Sequence, residues 1–535
     1  MANDSNTRPP DTPKDVSHVQ HVDFASDSRT SSKERTVNFF LLLTCAAFGS
    51  ASLVFGFDDK IISPVAALGP FVCVNELFVD KYQGPEPLTG KLVLTARNQS
   101  ILFSVPLIGS ILGGLAASPL NSRLGRKYPL LIAYIISIGG SLLQVLAPNL
   151  GAFVSGRFIN GIATGIANGT APLYLAEVVP ASMRGRSVSL INILTLVAGV
   201  LGTIVVLCTH SLTGPSSYRI PLTVQCVLPA LLLIWTLPLP ESPQWLVSRG
   251  RLEAARSNLR RLRRCSEQRV DEELRDMELS EGHASDMKVS VWEIFSKKHL
   301  QRTLTAGSFY SLNQVSGIIL STTYSTVFLS GIGIGDPFTL TVIASCCTLA
   351  GTIAAPFMLD RAGRRPTALT GMSVLFIIDL AAGGLAFNKG NRQSAIAIAA
   401  LSFAFNFFWA SSFSPLSTLL PSEMATPKLR HHTMAYTIAC AQATAVITTL
   451  VVPQLTAPDA ANLGPKTYLV FAGCMACILV FAYFFIPETK GRKFVEIDAM
   501  YDANIPARKW RQYWSSLEKA TGSNSQVSKA SIAAS

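Results

Sequence analysis

The stretches Ser122-Arg123-Leu124-Gly125-Arg126-Lys127 and Asp360-Arg361-Ala362-Gly363-Arg364-Arg365 share an Arg-x-Gly-Arg core, and each sits between two apolar runs. The first separates 98–120 from 128–147, and the second separates 337–359 from 366–387. A run of about 20 apolar residues is what an α-helix needs to cross a hydrocarbon core ~30 Å thick. Only helices and closed barrels satisfy their backbone groups in lipid. These runs are continuous rather than alternating, so they are helices. One Arg-x-Gly-Arg could arise by chance. Two of them, each between the second and third run of a set of six, indicate a duplicated chain.

Working outward, the runs 37–70, 151–179, 187–208 and 219–239 complete the first set, and 302–330, 394–421, 432–456 and 467–486 complete the second. The expected fold is an all-α polytopic membrane protein with twelve transmembrane helices in two six-helix bundles. Its expected divisions are a disordered cytoplasmic tail (1–36), an N-terminal bundle (37–240), a cytoplasmic helical linker (241–301), a C-terminal bundle (302–487) and a cytoplasmic tail (488–535). Repeated halves place a solute site between them, near the membrane midplane. Arg123, Arg126 and Lys127 follow the second run, Arg184 and Arg186 the fourth, Arg361, Arg364 and Arg365 the eighth, and Lys428 and Arg430 the tenth. Loops after odd runs are poorer in charge. Lysine and arginine stay on the cytoplasmic side, so both termini are expected there.

Composition agrees. The 535 residues are 49% hydrophobic and only 15% charged, where a soluble chain is nearer a quarter charged. The net charge of +12 is what cytoplasmic loops supply and does not suggest nucleic acid. Cys474 and Cys477 are spaced CxxC but lie inside an apolar run, so small core residues are expected rather than a metal or redox site. The histidines, from His18 to His432, fall in tails, loops or run ends. With no buried His/Asp/Glu cluster and no nucleotide-binding loop, neither a membrane enzyme nor an ATP-driven pump is expected, and no cofactor or metal.

Some residues interrupt the pattern. Asp58 and Asp59 break the apolar stretch that begins at Val37. An ionisable group at membrane depth is costly and usually functional, yet hydropathy alone reads the pair equally well as a helix end. Gly161, Gly165 and Gly169 recur every fourth residue and favour close backbone packing. Carboxylates and guanidiniums gather where runs end: Glu177 and Arg184 after the fourth, Glu241 after the sixth, Glu423 and Arg430 after the tenth. Arginine and carboxylate make charge-assisted hydrogen bonds. Together with Arg123, Arg126, Arg361 and Arg364, these residues could latch the two bundles or anchor helix ends statically.

Four motifs carry a family resemblance. They are Pro172-x-Tyr174-x-x-Glu177-x-x-Pro180-x-x-x-Arg184-Gly185, Pro240-Glu241-Ser242-Pro243-Gln244-Trp245-Leu246, Pro421-Ser422-Glu423 with Arg430 seven beyond Glu423, and Pro487-Glu488-Thr489-Lys490-Gly491. In this order they resemble the sugar porter family of the major facilitator superfamily over residues 37 to about 498. The resemblance implies the major facilitator fold, a monomer in the plasma membrane, and a cytoplasmic gate built from the arginines and glutamates above. Two positions depart from the family pattern: Ser122 stands where the family has Asp, and Gln244 where it has Arg. Phe55-Gly56-Phe57-Asp58 resembles the first-helix motif of proton-coupled members, and Arg157 resembles their fourth-helix arginine. Burial disfavours a charged carboxylate and a nearby guanidinium favours it. Alternation between those environments would load and unload a proton, with Asp58 as acceptor, Arg157 as switchable partner, and Asp59 structural.

At the solute positions that the resemblance implies, this chain has Asn192, Asn313, Gln314, Ile319, Thr322, Thr323, Thr418 and Gln442. The family's aromatic clamp for simple hexoses is largely gone, and a site lacking its donors binds glucose poorly. The stretches around Asn313-Gln314 and Pro421 to Arg430 look more like fungal α-glucoside permeases than hexose carriers. The implied function is proton-coupled uptake of a sugar or sugar-like solute (α-glucoside, hexose or polyol) by alternating access. Its partners would be a small-molecule solute, a proton and the lipid bilayer. Alternatives are a transporter of a non-sugar metabolite, such as an acid or a secondary metabolite, and a non-transporting nutrient sensor.

Overall fold

The computed structural model describes residues 39–73, 83–85, 92–179, 184–212, 214–263, 267–286, 291–388, 391–426, 429–492, 494–503 and 505–510. The expected tail 1–36 and the end of the chain lie outside these residues, as do Lys428 and the side chains of Arg184 and Arg186. Twelve long helices carry the fold. The first half contains α1 (Phe39–Ala66), α2 (Ala96–Leu124), α3 (Lys127–Leu146), α4 (Leu150–Val178), α5 (Arg184–Thr209) and α6 (Ser216–Thr236). The second contains α7 (Leu300–Ile332, broken), α8 (Pro337–Ala362), α9 (Arg364–Leu385), α10 (Arg392–Met424), α11 (Arg430–Thr456) and α12 (Thr467–Phe485).

Ten of these are long and apolar enough to cross a membrane, and α7 is an eleventh when its pieces, bent by 56°, count as one span. The twelfth, α4, is 29 residues long. It carries the buried Arg157 and Asn160 and the half-buried Glu177, so its apolar character is diluted by the groups it turns inward. Beyond the helices, a short antiparallel ladder pairs Gln83–Pro85 with Leu92–Leu94. The linker forms Pro243–Ser248, Leu252–Leu262 and Glu267–Asp286, the short helices that its mixed charge implied. Residues beyond Pro487 are not simply a polar tail. Phe494–Asp502 is helical, and its Asp498 accepts a hydrogen bond from Arg302 at the start of α7.

Backbone contact between α2 and α4 explains the glycine spacing. A Cβ on Gly161 would lie 2.2 Å from the Pro106 carbonyl oxygen, and one on Gly165 2.2 Å from that of Ser110. Glycine is the residue that lets these helices approach so closely. Large apolar side chains such as Phe39, Leu115, Phe357 and Ile447 are exposed on the outer faces, where a bilayer covers them.

The halves meet through α2 with α11, α5 with α8, and α1 with the second piece of α7. At the end opposite the arginine loops they are bonded. The Ala96 N–H donates to the Asp459 carboxylate at 3.0 and 3.1 Å, and the Ser100 hydroxyl donates to the Leu450 carbonyl at 3.0 Å. Deeper in, the Thr326 N–H donates to Ser63 at 3.2 Å, and Phe103 packs on Tyr324 with ring centroids 4.4 Å apart.

Candidate functional site

Asp58 is not a helix end. It lies within α1, 5% exposed, inside the first half. Arg157 of α4, 4% exposed, donates to its Oδ1 at 2.7 Å. Asn160, one turn along α4, donates at 3.2 Å, and Gln225 of α6 donates through a short hydrogen bond. Asn160 also donates to the Ser141 hydroxyl of α3 at 3.0 Å. The structure thus brings the two expected coupling residues together and surrounds them with uncharged polar groups from three helices. The Arg157 Nε and the Gln144 Oε1 are buried beside them without a partner. Asp59 points elsewhere and pairs with Lys60 at 2.9 Å.

A narrow cavity of about 10 Å3, room for about one water, lies between the halves, lined by Lys60 of α1, Leu196 and Gly199 of α5, Ser321, Thr322 and Ser325 of α7, Ser345 and Thr348 of α8, and Asn406 of α10. Of the expected solute residues, Thr322 lines it directly. Asn192 is exposed on α5, four residues before Leu196 and so on the same helix face. Gln314, Thr323 and Gln442 are partly exposed. Asn313 is buried, donating to Ser417 at 2.9 Å and accepting from the Trp409 indole at 2.7 Å. Trp409 opens a π-turn, Trp409–Phe413, which breaks the regular ladder of α10. Such turns re-aim side chains and often occur at functional sites. Thr418 is exposed, and its hydroxyl donates to the Pro415 carbonyl. Ile319 is 5% exposed and packs in the apolar core away from the cavity. The 56° bend of α7 falls between Thr322 and Ser325, and a further interruption lies at Gly317, whose φ of +90° favours glycine.

The arginine-loop end shows the duplication in atomic detail. In the first half, Arg126 grips the Glu177 carboxylate at 2.7–3.1 Å, and Ser242 donates to the same carboxylate. Glu241 accepts from the backbone N–H groups of Arg126 and Lys127 at 2.8–3.2 Å. In the second half, Arg364 grips Glu423 at 2.9–3.3 Å, and Thr489 donates to Glu423. There Glu488 accepts from the N–H groups of Arg364 and Arg365 at 3.0 and 3.2 Å. Burial pushes the Glu241 carboxyl above its ordinary range, against the pull of those N–H groups and of the Arg126 charge. A latch between bundles was one expectation for these residues. Instead, Arg126 with Glu177 and Arg364 with Glu423 each stay within one half, because the bundles meet at the opposite end and along their length. Arg123 and Arg361 are exposed with no ion pair among the described residues, and Arg430 is exposed at the start of α11.

Sequence reasoning missed Asn160, Ser141 and Gln225, which are uncharged and leave little mark on hydropathy. Asn160 had a signal, since it follows Arg157 by one helical step. Lys60 and Asp379 were missed too, although each is a charge inside an apolar run. Asp379, in α9, is fully buried, and neither of its oxygens has a hydrogen-bond partner.

Twelve helices in two repeated halves among the described residues, with a buried carboxylate–guanidinium pair inside one half, fit a membrane transporter. The sugar (and other) transporter family matches residues 42–501, and the chain belongs to this family of the major facilitator superfamily. It is 30% identical to the major facilitator-type transporter ecdD of Aspergillus rugulosus, over 87% of this chain and 88% of that one. It is 28% identical to the probable glucose transporter rco-3 of Neurospora crassa, over 88% and 81%. The inward-open xylose transporter XylE from E. coli shares the fold, with a TM-score of 0.72, 20% identity, and coverage of 86% of this chain and 99% of that one. These relatives are membrane transporters, not enzymes.

Proposed function

We propose that the chain couples proton movement to uptake of a sugar or sugar-like solute by alternating access. The observation that carries this is the Asp58–Arg157 pair, both members buried and 2.7 Å apart inside the first half. A carboxylate sealed in a helix bundle next to a switchable cation can exchange one proton when that contact opens. The solute would sit between the halves, where the narrow cavity opens as they move, within reach of Thr322, Asn192, Asn313, Gln314, Thr323, Thr418 and Gln442. The end closed by Asp459 and Ser100 would be extracellular. The arginine-loop end would face the cytoplasm with both termini, and Arg123, Arg184, Arg361 and Arg430 would complete the gate with the paired residues. The plasma membrane and a monomeric unit are the natural setting for this reading. The missing aromatic clamp keeps non-sugar metabolites as the second reading.

The test is uptake in a host lacking its own sugar carriers, with labelled hexoses, α-glucosides, polyols and sugar acids, with and without a proton uncoupler. Accumulation that collapses with the uncoupler and in Asp58→Asn is expected. Uptake indifferent to both would make the chain a facilitator and remove the proton role of Asp58.

A further inference from the structure

Lys60 stands two residues beyond Asp58 on α1, and successive residues of a helix are about 100° apart. The two side chains therefore leave the helix on nearly opposite faces. Asp58 points into its own half, while Lys60 lines the cavity between halves. Ser63, one turn beyond Lys60 on the same face, is bonded to Thr326 of the second half. The Lys60 stem lies over Gly199 of α5, where a Cβ would come within 2.7 Å of its Cγ.

Among the described residues the ammonium pairs with its neighbour Asp59, at 2.9 Å. Adjacent residues on a helix do not face each other, so both tips must curl into one space to meet. This ion pair joins no two elements, since both partners belong to α1. The Asp59 side chain is 37% exposed, while the Lys60 side chain is 17% exposed, with its stem packed along α5 and its ammonium at the cavity. A lysine at membrane depth that ties nothing together is there for what passes it.

The rest of the wall says what that is. The hydroxyls of Thr322, Ser345 and Thr348 donate to carbonyls of their own helices, at 2.8, 3.0 and 3.0 Å. They face the cavity with lone pairs. The Oδ1 of Asn406 is buried without a partner. A wall of acceptors wants a ligand rich in hydroxyl donors, and the one cation on that wall wants an anion.

We infer that Lys60 is a specificity-determining residue for a polyhydroxylated carboxylic acid, its ammonium taking the carboxylate while the hydroxyls of α7 and α8 accept from the solute's own. The inference rests on the transport reading above. Asp59 holds the ammonium between solutes and competes with the incoming carboxylate.

The test is ligand-induced thermal stabilisation of the purified full-length chain in detergent, with D-gluconate and D-galacturonate against D-glucose and sorbitol. The acids are expected to act at roughly tenfold lower concentration than the neutral probes. Lys60→Met should weaken the acids by about 30-fold and leave the neutral probes within about threefold, and Lys60→Arg should retain most acid binding. Asp59→Asn should strengthen acid binding, opposite in sign to Lys60→Met, whereas a purely structural pair would suffer alike from either change. Asp59→Asn carries the test even where Lys60→Met fails to fold. Neutral probes that match or exceed the acids, acids that do not bind, or parallel losses in both variants would overturn the assignment. No proton gradient exists in detergent, so acid binding would stand even if uptake proved uncoupled. Asp58-dependent accumulation of glucose alone would sink the acid and keep the coupling.

Discussion

Asp58 is 5% exposed and held by donors from Arg157, Asn160 and Gln225. The cost of changing it depends on what is left behind. Removing one partner of a buried ion pair typically costs ~3–5 kcal/mol, because the other charge remains buried and uncompensated. Arg157→Gln alone should therefore lower the unfolding temperature clearly. Arg157→Gln combined with Asp58→Asn should recover most of that loss, since both charges are gone and Asn160 and Gln225 can still bond the amide. Thermal unfolding of the three variants in one detergent checks this, and losses that simply add would mean the two residues do not act as a pair. The pair itself was reached through the family resemblance, since hydropathy alone read Asp58 equally well as a helix end. The rest of its shell was not. Gln225 and Ser141 look like ordinary polar residues in tolerant helices, and only the packing of α3, α4 and α6 turns them toward Asp58. Lys60 is conspicuous as a charge, but its meaning depends on which face of α1 meets the other half, which no periodicity reveals.

Two loops of like sequence have become two like joints between elements. Each places a glycine, Gly125 or Gly363, at positive φ (+96° and +92°) just before a helix start. Each of those helix starts then offers backbone N–H groups to a glutamate from a distant turn, Glu241 or Glu488. The N-terminal end of a helix carries partial positive charge, so the carboxylate is well placed there. The glycines are needed twice over. A Cβ on Gly125 would fall 2.3 Å from the Glu241 Oε2, and one on Gly363 2.9 Å from the Glu488 Oε2. Gly125→Ala should therefore push Glu241 off the start of α3 and cost ~1–3 kcal/mol, the strained φ adding to the clash. Gly363→Ala should do the same at α9, somewhat less because the contact is longer. Unfolding temperatures of the two variants decide it, and an unchanged temperature for Gly125→Ala would show that Glu241 moves aside at no cost. The loops, their glycines and the acidic motifs were all readable from the chain. Which carboxylate meets which arginine was not, because Glu177 lies at the end of α4 and only the three-dimensional convergence of α2, α4 and α6 brings it to Arg126. The bend of α7 between Thr322 and Ser325 and the π-turn at Trp409 were likewise hidden, since both fall within runs that hydropathy treats as uniform.

Over the whole molecule, two ion pairs on or against α1 hold charge inside the membrane, and Asp379 of α9 stands apart from both. In the empty protein Asp58 balances Arg157, and Asp59 balances Lys60, so a bundle movement carries no net charge from either pair. A proton on Asp58 leaves Arg157 uncompensated and adds one positive charge. A neutral solute bound with that proton would make the loaded protein cross with a charge of one, and a membrane potential would act on it by about 2.3 kcal/mol per 100 mV. A monocarboxylate at Lys60 cancels that charge, and both the loaded and the empty movements are then electrically silent. The coupling at Asp58 and the anion preference at Lys60 together predict transport driven by the pH gradient and indifferent to voltage. In proteoliposomes, D-gluconate uptake should follow an imposed pH difference and stay the same when a potassium diffusion potential is set with valinomycin. Lys60→Met, if it moves a neutral sugar at all, should do so with a current. Voltage-driven acid uptake by the native chain would mean that the charge on Arg157 is balanced elsewhere, and that the two pairs on α1 do not divide the work between proton and solute.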